Sequence, residues 1–82
     1  MTDEPRVVVL VTEGCHLCED ACAIVSTVCA DLNTTWVAAD LMKEDPESIN
    51  KWREYVPVVL IDGDVHDVFR VTADRLRAAL SC

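Results

Sequence analysis

Cys15, His16, Leu17 and Cys18 set two thiols three residues apart. They follow directly on the apolar run Val7-Val8-Val9-Leu10-Val11 and precede a helical pattern. On the first turn of a helix, that offset brings the second sulfur round toward the first, close enough to bridge. The same turn has backbone N–H groups without intrahelical partners and the positive end of the helix dipole. Both favour a thiolate over a thiol, and the thiolate is the reactive form. The chemistry these residues imply is thiol–disulfide exchange. Cys15, at the helix mouth, is the candidate nucleophile toward a substrate disulfide. Cys18, one turn in, would then attack Cys15 and release the reduced substrate. A protonated His16 between them would support the thiolate, and Glu13, Glu19 and Asp20 would oppose it. The competing reading of the pair is half of a zinc knuckle. Zinc usually takes four ligands and no second close pair exists, so no metal site is expected.

The chain has five cysteines. At about 100° per residue, Cys18, Cys22 and Cys29 fall along one flank of the apolar stripe on their helix. The plain reading makes Cys22 and Cys29 small buried hydrophobes. The alternative makes Cys22 a third thiol, resolving disulfides or joining Cys15 and Cys18 around an iron–sulfur or copper centre. Cys82 is terminal and expected to be exposed.

The elements that must position this pair can be read along the chain. Arg6 to Val11 is a β-branched run without alternation, as in a strand covered on both faces. Thr12-Glu13-Gly14 turns out of it. Cys15 to Leu32 is helical, with Leu17, Ala21, Ile24, Val25, Val28 and Leu32 in one stripe. Asn33-Thr34 ends that helix, and Thr35 to Ala39 is a second strand. Asp45-Pro46-Glu47 starts a short helix reaching about Arg53 or Glu54, with Ile49 and Trp52 as its apolar face. Val56 to Ile61 is a third strand with Pro57 near its start. Asp62-Gly63 is a hairpin turn, and Asp64 to Phe69 returns, with Val65, Asp67 and Phe69 on one face. His66 is expected to face solvent, and Trp36 and Trp52 to serve packing. Thr72 caps a last helix with Leu76, Ala79 and Leu80 inward and Arg75 and Arg77 outward. The order β-α-β-α-β-β-α opens with a parallel, right-handed βαβ unit and closes with an antiparallel hairpin and a helix. An α/β fold follows: a four-stranded mixed sheet between helices on both faces, in three layers.

At 82 residues, 51% of them hydrophobic, the chain reads as a single domain over residues 1–82. Fifteen acids against seven bases give a formal charge of −8. Backbone phosphate binding needs clustered Lys and Arg, which are absent, so nucleic acid and anionic membrane are not expected partners. The acidic surface reads as simple solvation, with steering of a basic partner as the sharper alternative. Met1 to Arg6 are polar, the Val run is too short for a signal sequence, and no stretch reaches transmembrane length. An odd cysteine count without such a signal disfavours a disulfide scaffold. The expectation is a cytoplasmic monomer.

Cys15-His16-Leu17-Cys18 after the first strand, and Val56-Pro57 opening the third before Asp62-Gly63, resemble the thioredoxin-like superfamily, and within it the short glutaredoxin-like proteins. The likeness in element order spans nearly the whole chain. It implies strand order 2-1-3-4 and a cis bond before Pro57, on a loop facing the cysteine pair. The main chain of Val56 would then pair with an extended substrate segment. The sequence departs from the family pattern at three places. Val9 stands where thioredoxins carry a buried carboxylate. Thr12 stands where glutaredoxins carry a lysine for a glutathione carboxylate. Phe69-Arg70-Val71-Thr72-Ala73-Asp74 carries extra residues in place of a Gly-Gly pair and a nearby Asp. No bound cofactor is expected, and glutathione is left as a possible co-substrate. The resemblance implies an oxidoreductase acting through Cys15 and Cys18, with His16, Val56 and Pro57 at the substrate. Its substrate would be a protein or small-thiol disulfide, and a separate reductase would supply electrons. The alternative is a non-catalytic binding module, or a metal or iron–sulfur carrier using the same thiols.

Overall fold

A computed structural model describes residues 5–81. Strand β1 (Val7–Val11) leads into helix α1 (His16–Asp31), strand β2 (Trp36–Asp40) and a 3₁₀ turn over Leu41–Lys43. Helix α2 (Pro46–Trp52), strands β3 (Val58–Ile61) and β4 (Asp64–Val68), and helix α3 (Ala73–Leu80) follow. The sheet order is β2-β1-β3-β4, with β1 and β2 parallel and the other two pairings antiparallel. The expected mixed sheet and element order are therefore present.

The continuous Val run of β1 has the two-sided cover its composition implies. Val7 and Val9, fully buried, join Val59 beneath α1 and α3. Leu10 and Val8 face the other layer with Val58, Leu41, Ile49 and Trp52. Each residue of β1 thus feeds one of two apolar clusters by simple alternation. Leu41, fully buried, anchors the second layer from the 3₁₀ turn, an element the sequence reading did not anticipate. α2 buries no residue completely, in line with its thin apolar face, and it stops at Trp52 rather than Arg53 or Glu54. Asp45 occupies its N-cap without a side-chain cap bond.

Several boundaries move. β1 starts at Val7 rather than Arg6, β2 runs to Asp40, and β3 begins at Val58, so Val56 and Pro57 lie outside the ladder. The Val56–Pro57 peptide is cis, as the family resemblance implied. α1 ends in a Schellman arrangement. Asn33 takes φ of 54°, and the Thr34 amide donates to the Cys29 carbonyl at 2.8 Å. The β3–β4 hairpin turns at Asp62 and Gly63, with φ of 52° and 88°, as a type I′ turn requires.

Two expectations about β4 are corrected. Val59 pairs with Asp67 but Leu60 pairs with Val65, so His66 is an extra residue in a β-bulge. The bulge resets the alternation. Asp67 shares the face of Val59, Val65 shares the face of Leu60, and the two do not lie together. On that face Asp67, with its side chain 11% exposed, meets Arg75 of α3 at 3.2 Å. His66 is half-buried rather than solvent-facing, with Nε2 buried and without a hydrogen-bond partner among the described residues. Phe69 ends the strand instead of belonging to it, because its φ is 65°. Thr72 caps α3 as expected, its hydroxyl accepting from the Arg75 amide at 3.3 Å. Arg77 reaches Asp31 at the end of α1 at 2.6 Å. Among the described residues no helix is long and apolar enough to cross a membrane.

Candidate functional site

The site begins with the turn that delivers it. Gly14 takes φ of 76°, and a Cβ there would meet nothing within 4 Å, so backbone conformation and not space calls for glycine. Cys15 follows in an extended conformation and is the N-cap of α1. Its Sγ accepts a hydrogen bond from the Cys18 amide at 3.1 Å. A sulfur thus fills the role that serine or aspartate oxygen usually plays at this position. The contact also aims an unpaired helix N–H at a sulfur that, as a thiolate, is a strong acceptor.

Cys18 lies one turn in and is 3% exposed, whereas Cys15 is half-buried. The Cys18 thiol is pushed up to about 12, first by burial, then by its hydrogen bond with the Cys15 side chain. The Thr12 backbone amide pulls the other way, and the charges on Cys15 and Cys22 add further upward pressure. Cys22, half-buried, is also raised, by burial and then by Cys15. Burial alone raises Cys29. All four described cysteines are free thiols. Cys82 lies outside the described residues.

An open cavity of about 260 Å³ is lined by Cys15, Cys18 and Cys22 together with Thr12, Glu13 and Glu19. Sequence periodicity placed Cys18, Cys22 and Cys29 on a flank of the helix stripe. In the structure Cys18 and Cys29 sit in the buried face with Ala21, Val25 and Val28, and Cys22 is at its border. Leu17 and Ile24, expected within the stripe, are only half-buried. No group of three or more His, Cys, Asp or Glu side chains among the described residues is placed to hold a metal ion. His16 is 95% exposed, and its Nδ1 lies 3.5 Å from Glu19. The cysteine cavity is lined by neither His16, Val56 nor Pro57. Pro57 is buried, Val56 is half-buried, and Val56 makes no main-chain hydrogen bond among the described residues.

Sequence reasoning missed Phe69. Its amide donates to the carbonyls of Tyr55 at 3.2 Å and Pro57 at 3.0 Å. Its ring packs on Tyr55 with centroids 5.6 Å apart, and Tyr55 in turn meets Trp52 edge-on at 6.2 Å. A phenylalanine carries no sequence signal for a left-handed backbone, so nothing in the residue order pointed to this corner.

Residues 6–81 match the model of the Glutaredoxin-like domain (DUF836) family. The chain belongs to this glutaredoxin-like family. Its fold is that of the thioredoxin-like superfamily. Protein Ne2328 from Nitrosomonas europaea is 22% identical, with a TM-score of 0.75 over 96% of this chain and 95% of that one. The structural-genomics target XcR50 from X. campestris is 21% identical, with a TM-score of 0.74 over 92% and 95%. A wheat glutaredoxin is 19% identical, with a TM-score of 0.55 over 94% of this chain and 72% of that one. At these identities the likeness is one of fold. No functionally curated protein matches the chain. A glutaredoxin-like fold with a C-x-x-C pair opening its first helix supports a redox-type thiol function.

Proposed function

We propose that this chain is a dithiol–disulfide oxidoreductase in which Cys15 and Cys18 exchange two electrons with a substrate disulfide. The observation that carries the reading is the asymmetry of the pair: a reachable Cys15 sulfur on the helix N-cap, hydrogen-bonded at 3.1 Å by the amide of a buried Cys18. The Cys15 thiolate attacks one sulfur of the substrate disulfide. That S–S bond breaks, a Cys15–substrate mixed disulfide forms, and one substrate half leaves as a thiolate. Cys18 then gives up its proton and attacks the Cys15 sulfur. The Cys15–Cys18 disulfide forms, and the second half leaves as a thiolate that takes a proton from Cys18 or solvent. The substrate has gained two electrons and the protein has lost two.

The raised Cys18 thiol fits the order of these steps. At neutral pH it stays protonated and does not compete with Cys15 for the substrate. Two of the influences that hold it up, the hydrogen bond and the charge, come from Cys15 itself. Both disappear once Cys15 is bonded to substrate sulfur, so the mixed disulfide lowers the barrier to its own resolution.

The main chain of Val56, unpaired among the described residues and preceding Pro57, is available to an extended substrate segment. His16, exposed on the first turn, is a surface contact for the same partner. Substrates are disulfides of a protein or a small thiol. A separate reductase restores the dithiol without a bound cofactor, and the protein works as a cytoplasmic monomer. The test is to mix Cys18→Ser protein with a model disulfide and map the adduct by peptide mass spectrometry. A stable adduct on Cys15 supports the reading. Undiminished disulfide turnover by Cys15→Ser would sink it.

A further inference from the structure

The resolving step needs a proton acceptor that the core does not supply. Cys18 must lose its proton as its sulfur bonds to Cys15, yet it is 3% exposed. Beneath α1 the first strand offers Val7 and Val9, both fully buried. No polar or charged residue is buried among the described residues. On the core side of the thiol there is therefore nothing to take the proton.

The open side differs. Cys18 shares the cavity of about 260 Å³ with Cys15, Cys22 and two carboxylates, Glu13 and Glu19. Glu19 follows Cys18 on the helix, so it projects about 100° round the axis from it. Its Oε2 lies 3.5 Å from Nδ1 of His16, and its side chain is 80% exposed. Cys22, raised by burial, stays protonated at neutral pH. Glu13 stands on the turn between β1 and α1, which Gly14 bends with its φ of 76°. That turn already serves the Cys18 sulfur: the Thr12 amide, one residue before Glu13, lies near enough to favour the thiolate. One short turn thus carries a dipole that suits the anion and a carboxylate that suits the departing proton.

We propose that Glu13 shuttles the proton of the resolving step. The inference rests on the exchange reading above. In the mixed disulfide, the Cys18 S–H bond breaks and its proton passes to the Glu13 carboxylate. The Cys18 sulfur bonds to the Cys15 sulfur, and the Cys15–substrate S–S bond breaks, its electron pair leaving with the substrate thiolate. Glu13 then gives the proton to that thiolate, which departs from Cys15 on the wall of the same cavity. Glu13 ends ionised as it began, and no outside acid or base is consumed.

The test uses reduced full-length protein mixed with excess bis(2-hydroxyethyl) disulfide and quenched in acid at timed intervals. Intact mass spectrometry separates reduced protein, the Cys15 adduct and oxidised protein, so attack and resolution are timed in one experiment. A positioned general base is worth at least about a hundredfold, so Glu13→Gln should slow resolution by about that factor at pH 7 and let the adduct accumulate. Attack should not slow, because the change removes a negative charge beside Cys15. Resolution in this variant should rise in proportion to hydroxide between pH 6 and 9, where the native profile is flatter. Glu13→Asp should keep most of the native rate, and Glu19→Gln should leave it unchanged. Glu13 is exposed, so none of its substitutions disturbs packing. Charge alone predicts the opposite sign: losing an anion near Cys18 would favour its thiolate and speed resolution. Resolution that is unchanged or faster in Glu13→Gln, an equal slowing of both steps, or the loss arising in Glu19→Gln instead would overturn the assignment. If the native protein forms neither adduct nor disulfide, the exchange reading itself falls, and this inference with it.

Discussion

Cys15 has two separable duties, one chemical and one structural, and two substitutions pull them apart. Its sulfur caps α1 by accepting the Cys18 amide at 3.1 Å. Cys15→Ser removes the thiol but supplies a hydroxyl oxygen, a preferred N-cap acceptor. Cys15→Ala removes both. A serine-to-alanine change at an N-cap costs about 1 kcal/mol, within a range of roughly 0.5–2. α1 carries Ala21, Val25, Val28 and Cys29 of the main core, so the stability of this helix is tied to that of the fold. In a chain of this size about 1 kcal/mol corresponds to roughly 4–8 °C in melting temperature. Both variants should therefore be inactive in disulfide exchange, while Cys15→Ser melts several degrees above Cys15→Ala. Thermal unfolding by circular dichroism and a turnover assay on the same preparations measure the two duties. If the two variants melt together, position 15 is not a working cap. If the serine variant still turns over disulfide, Cys15 is not the nucleophile.

Stability should fall on the alkaline side. Burial is the leading cause of the raised Cys18, Cys22 and Cys29 thiols, with Cys18 at about 12. The unfolded chain releases these protons near the ordinary thiol value of about 8.5, so above it the folded state holds more protons than the unfolded one. Their contribution is intact at neutral pH and is lost as pH rises toward 12. Urea unfolding of reduced protein between pH 7 and 10.5 should show this decline, and Cys29→Ala should lessen it; a rise would contradict the burial of these thiols. Gly14→Ala should cost about 1–2 kcal/mol by denaturant unfolding, because the cost is that of a left-handed backbone and not of a clash. Leu41→Ala should cost about 2–5 kcal/mol, since this fully buried side chain anchors the layer opposite the cysteines. Measured loss below 1 kcal/mol would mean that the 3₁₀ turn does not hold that layer.

What the sequence made legible were the features written in local chemistry. The β-branched run before Gly14 defined β1, Asp62-Gly63 the hairpin, Pro46 the start of α2 and Thr72 the cap of α3. The C-x-x-C followed from its place between strand and helix. The family resemblance, not composition, supplied the strand order and the cis peptide. The features that stayed hidden depend on tertiary balance. Nothing near His66 announces a bulge, so Asp67 could not be assigned to the face where it meets Arg75. The 3₁₀ turn had one faint sign, Asp40, whose carboxylate accepts from the Met42 amide at 2.9 Å. The sequence places Cys18, Cys22 and Cys29 on a flank of the apolar stripe of α1, with Cys22 and Cys29 as small buried hydrophobes; Cys18 and Cys29 are buried within that face, as suits free cysteine, and only Cys22 stays at its border. Phe69 sits where residue type argues for glycine, and only the carbonyls of Tyr55 and Pro57 explain how it is held.

The most direct test of the central claim is disulfide mapping of the native protein after equilibration in thiol–disulfide buffers of stepped potential. The account predicts one reversible two-electron transition whose oxidised product is a Cys15–Cys18 bond, with Cys22 and Cys29 still reduced. Oxidation that yields other pairings, or that cannot be reversed by dithiol, would contradict it.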